Sequence, residues 1–64
     1  MDNKVMNLFR TIGEQFNEAA QDAGKFVEGN NSAGTRVRKA MQNIKNLAQQ
    51  VRVEIQEQKN SVTT

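Results

Sequence analysis

The chain has no cysteine and no histidine, and its only aromatic side chains are three phenylalanines. Without thiols there is neither a disulfide framework nor a thiolate metal site, and a reducing interior is the simplest setting. Without His, Cys, Tyr or Trp, the usual acid–base, covalent and metal-assisted chemistry is nearly empty, so an enzyme, a bound metal or a cofactor is not expected. No apolar run is long enough to span a bilayer, and the first residues lack a secretory-type apolar core. A soluble cytoplasmic protein is expected, with no membrane partner and no small-molecule substrate. One further absence is local. Between Gly29 and Val53 the chain carries no acid, yet Arg36, Arg38, Lys39, Lys45 and Arg52 all fall there.

At 64 residues this is one small domain, below the size at which a single core is generously stable. The formal net charge of +2 is unevenly spread. Residues 1–28 hold five acids and three bases, a net of −2, whereas residues 29–64 hold six bases and two acids, a net of +4. The second half is therefore the half that attracts an anionic partner.

Two helical patterns follow one another. Val5, Phe9, Ile12, Phe16, Ala19, Ala23 and Phe26 are spaced by alternating steps of four and three, widened by Met6, Leu8, Ala20 and Val27. Asp2 or Asn3 can cap this first helix, expected over about 3–28. Gly29 supplies a left-handed C-terminal cap, and Asn30, Asn31 and Ser32 bring turn and N-cap chemistry, placing a turn at 29–31. The second helix, about 32–59, repeats the spacing with Val37, Met41, Ile44, Ala48, Val51 and Ile55, flanked by Ala40 and Leu47. Weak helix formers from Asn60 to Thr64 predict a frayed tail.

A short break between two amphipathic helices folds them into an antiparallel hairpin. The expected fold is all-α, a single helical-hairpin domain. Because one hairpin covers each seam on one side only, two are expected to form a four-helix homodimer. Its core and dimer contacts are assigned to Phe9, Ile12, Phe16, Val37, Met41, Ile44, Leu47, Val51 and Ile55.

The cations on the second helix lie off that seam. Arg36, Arg38 and Lys39 fall near its start, where the macrodipole is already positive and only an external anion compensates. Free backbone N–H groups there, with Ser32 and Thr35 beside them, suit phosphate oxygens. The Gly29/Gly34 spacing lacks the Lys-Ser/Thr and preceding strand of a nucleotide-binding loop. Arg38, Lys45, Arg52 and Lys59 recur every seven residues, drifting only about 20° per step, and form one long stripe. On the first helix Glu14, Glu18 and Asp22 share a face, read as a solvated acidic face available to basic neighbours. The expected duplex-binding residues are Ser32, Thr35, Arg36, Arg38, Lys39, Lys45 and Arg52.

The segment GNNSAGTRVRKAMQNIKNLAQQVRVEI resembles the bacterial linker-histone-like proteins of chlamydial type. Their recurring pattern, Gly-Asn-x-x-Ala-x-x-Arg-x-Arg before an aliphatic helix and a later Arg-Lys, is matched at Gly29, Asn30, Ala33, Arg36, Arg38, Ile44, Leu47, Ala48 and Arg52. The likeness covers the second half of the chain. Arg52-Val53 stands where the family has Arg-Lys, and the long Lys/Ala/Pro-rich tail of chlamydial members does not follow. The resemblance implies a bacterial nucleoid-associated protein of chromosome organisation that binds double-stranded DNA with little sequence preference. The alternative from the residues alone is a coiled-coil adaptor whose basic stripe meets an acidic protein.

Overall fold

The side chain of Asn3 accepts a 2.8 Å hydrogen bond from the Val5 N–H and opens helix α1, Lys4–Val27. The computed structural model describes residues 3–63, with side chains through residue 60, so the alternative cap at Asp2 lies outside the described residues. Helix α1 ends in a paired cap. The Asn30 N–H reaches back to the Lys25 carbonyl at 3.0 Å and the Gly29 N–H to that of Phe26 at 2.9 Å. Such a cap requires a left-handed residue, and Gly29 has φ of 110°. Asn30 at once caps the next helix, its side-chain oxygen accepting from the Ala33 N–H at 3.1 Å.

Helix α2 is Asn31–Thr63. It starts one residue before the expected 32, and it continues past Asn60, where the sequence pattern suggests fraying. Once a helix is nucleated, each further residue adds one hydrogen bond, so weak formers can extend an established helix. Thr64 lies outside the described residues. The two helices lie antiparallel, with overall extents of 54 × 20 × 11 Å. The radius of gyration is 15.3 Å, against about 11 Å for a globular chain of this length. The hairpin is one layer thick.

The helices meet along a narrow strip. Val5, Leu8, Ile12, Ala19 and Ala23 face Ala33, Val37, Ala40, Ile44, Leu47 and Val51, all buried or half-buried. Among the described residues only Ala19, Ala33 and Val51 are buried apolar positions. Within the single hairpin only part of the expected seam is covered. Phe9 and Phe16 are 54% and 60% exposed, and Met41 and Ile55 42% and 41%. The apolar arc of each helix is wider than one neighbour covers. Leu8 and Ala19, on the other side of Ile12 from the phenylalanines, take the contact and permit closer approach.

Both ends are closed. At the open end the Asn3 and Gln58 amides exchange long hydrogen bonds of 3.4 and 3.3 Å. At the turn, the Phe26 ring lies over Gly34, where an added Cβ would come within 2.6 Å of its Cδ1. Two outcomes are expected in urea denaturation monitored by circular dichroism. Asn30→Ala, removing the α2 cap, should cost about 1 kcal/mol. Gly34→Val should also destabilise, despite a better helix former, because the Phe26 ring is pushed off the turn.

Candidate nucleic-acid interface

The cationic side chains of α2 do not form one cluster. Arg38, Lys45, Arg52 and Lys59 are all exposed and follow one another along its outer edge, away from α1. At 1.5 Å per residue the stripe runs about 31 Å. Lys39 is exposed on the other flank, where it lines a shallow depression with Gln15, Glu18, Asp22, Arg36 and Asn43.

Arg36 points inward to α1. Its Nη2 and Nε both lie 3.1 Å from one oxygen of Asp22. The pair joins the two helices near the turn and partly neutralises a cation that the sequence pattern assigns to the partner. With the Arg36 side chain 50% exposed, its guanidinium still faces solvent on one side. The acid that reaches it sits on the other helix, out of view of a run judged acid-free along the chain.

The start of α2 also changes one argument. With the helix beginning at Asn31, Arg36 lies beyond its first turn, and Arg38 and Lys39 further still. The macrodipole falls off within about one turn, so it does little to these three cations. Ser32 and Thr35 are exposed in the first turns, and the Ala33 N–H beside them is occupied by the Asn30 cap. They lie at the turn end of the molecule, with Thr35 and Arg38 lining a depression shared with Ala23, Phe26, Val27, Gly34 and Val37.

That depression opens on an apolar face. In an antiparallel pair, corresponding flanks of the two helices turn to the same side, so exposed Phe9, Phe16 and Val27 of α1 share a face with Met41, Ala48 and Ile55 of α2. The basic stripe borders this face and the Asp22–Arg36 pair lies on the opposite one. Among the described residues no group of acids is placed to hold a metal ion, and no helix is long and apolar enough to cross a membrane.

The model of the family described as histone H1-like protein Hc1 matches residues 6–61. The chain belongs to this family. The match takes in most of α1 as well as α2, beyond the second half where the quoted motif lies. Searches of curated proteins and of solved structures each return no match. Hc1 proteins are histone-like and DNA-packaging rather than enzymatic, so membership supports DNA as the class of partner.

In this Hc1-family chain the half-exposed Asp22–Arg36 pair should contribute little to stability. Asp22→Asn is expected to lower the unfolding free energy by less than about 1 kcal/mol in urea denaturation. A loss of several would mean that the pair, rather than the apolar strip, holds the helices together.

Proposed function

We propose that this chain is a nucleoid-associated, histone-like protein that binds double-stranded DNA as a homodimer, through the phosphate backbone and with little sequence preference. The observation that carries the reading is the exposed stripe Arg38, Lys45, Arg52 and Lys59 in a chain of the Hc1 family. Its length of about 31 Å is close to one turn of B-form duplex. Guanidinium and ammonium groups along such a line neutralise phosphates and displace condensed counterions. The intervening exposed Gln42, Asn46 and Gln49 offer amide donors to the same oxygens. Ser32 and Thr35 extend the contact at the turn end. Arg36, held by Asp22, and Lys39 beside it lie on the opposite flank, outside the reach of a duplex seated on the stripe. Nothing among these residues is an aromatic platform for unpaired bases, which favours duplex over single strands.

Self-association follows from the apolar face. Phe9, Phe16, Met41 and Ile55 are too exposed in the lone hairpin for a stable chain of this size. Light scattering at micromolar concentration should give about twice the chain mass, and a well-folded monomer would refute this part.

The DNA reading is tested by charge reversal and by salt. Arg38→Glu, Lys45→Glu and Arg52→Glu together should abolish duplex binding with helicity unchanged, since all three lie off the contact strip. Reversing Glu14 and Glu18 to lysine should not weaken binding. A dimer making roughly four to eight phosphate contacts gives a slope of about −4 to −7 in log affinity against log salt. Duplexes of unrelated sequence should agree within about tenfold, no side chain being placed to read base edges. Affinity that is insensitive to salt would favour an acidic protein partner instead.

A further inference from the structure

We infer that two copies meet through the Phe9/Phe16/Met41/Ile55 face with their two-fold axis parallel to the helices, α1 of each lying on α2 of its partner, so that the two basic stripes point in opposite directions and the dimer links two duplexes. The inference rests on the proposed self-association and DNA binding and specifies their geometry.

Area comes first. The hairpin exposes 5263 Å². A compact protein of 7.2 kDa exposes about 4,100 Å², leaving an excess of about 1,100 Å² per chain. A stable interface of ordinary size covers about 800 Å² on each partner. The excess is enough for one such interface, and the apolar face is where it lies.

Charge then chooses between two ways of laying that face on its copy. If the two-fold axis runs across the helices, α2 meets α2, setting the +4 half of one chain against the +4 half of the other. Arg38, Lys45 and Arg52, which border the face, would line the contact from both sides. If the axis runs along the helices, each α2 meets α1 of the partner, whose Glu18 and Asp22 lie on the opposite face, and the two basic stripes are kept apart. Heights are preserved by that rotation. Asn3 lies opposite Gln58 and Asp22 opposite Arg36 in the hairpin, so Ala20 of one copy comes level with Met41 of the other. The flank of α1 bordering the face carries Gly13, Ala20 and Gly24, with open space beside both glycines for long cationic side chains. Avoidance of the like-charge contact and room on the flank both favour α1 on α2.

The consequence is bridging. Each stripe runs on the outer edge of its own α2, and in this arrangement the two α2 helices are diagonal across the bundle. The edges face away from each other across the 20 Å breadth of a hairpin. A single straight duplex reaches one edge, leaving the other free for a second.

The natural chain has no cysteine, so disulfide trapping is clean. Separate Ala20→Cys and Met41→Cys variants, mixed through an unfolding and refolding step and oxidised, should give a mixed disulfide dimer, because these positions are level and face each other only when α1 lies on α2. Ala48→Cys alone should give none, being near its own copy only if α2 meets α2. A strong Ala48→Cys dimer, or no mixed disulfide from a protein that scatters as a dimer, overturns the orientation. Bridging is read on the unmodified protein. A surface-bound duplex should capture a second, labelled duplex of unrelated sequence only when protein is present, and the Arg38/Lys45/Arg52 reversal should abolish capture. Capture absent while single-duplex binding persists overturns the bridge. Absence of all duplex binding removes the DNA reading along with it, and the disulfide pattern, which involves no DNA, keeps that failure separate.

Discussion

Each helix of this chain has an apolar arc wider than a single neighbouring helix can cover. Everything else in the molecule follows from that excess. The strip used inside the hairpin takes one side of each arc, from Leu8 and Ala19 to Ala33 and Val51, and small residues there bring the backbones close. The other side, with Phe9, Phe16, Met41 and Ile55, is left facing solvent. Apolar area is thus divided between the contact that folds the hairpin and a face that the hairpin leaves open, in a chain of only 64 residues.

The polar residues are arranged around the same division. On the face away from the apolar surface, Asp22 and Arg36 connect the helices, and Asn3 with Gln58 connect them at the far end. The exposed cations Arg38, Lys45, Arg52 and Lys59 occupy the outer edge of α2, off the strip that joins the helices. A long, thin hairpin gives up core volume but gains edge, and edge is what a polyanion contacts.

Most of the fold was legible in the sequence, because period and punctuation agree: two runs with helical spacing are separated by Gly29 and Asn30, and the structure puts a left-handed glycine and an N-cap at those residues. The family was legible too, from the Gly-Asn turn and the Arg-x-Arg that follows. What the pattern did not resolve was which part of each apolar arc meets which neighbour. A heptad run through Phe9 and Phe16 selects the bulkiest residues, whereas closeness of approach selects Leu8 and Ala19. Likewise, Arg36 counts as an unpaired cation along the chain, since its acid is brought to it only by folding. Lys59 was visible from its seven-residue spacing with Arg52, but the exposure of the stripe had to come from the structure.

Asn30 ends one cap and begins the next, so the joint between the helices contains no spare residue. It works as a gear set between two shafts. Inserting a single residue there would turn α2 by about 100° about its own axis relative to α1, carrying the cationic edge off its bearing. A change at the joint, far from any cation, would therefore misdirect the whole stripe at once. For this architecture the length of the turn fixes the direction of the basic edge as strictly as the basic residues fix its charge.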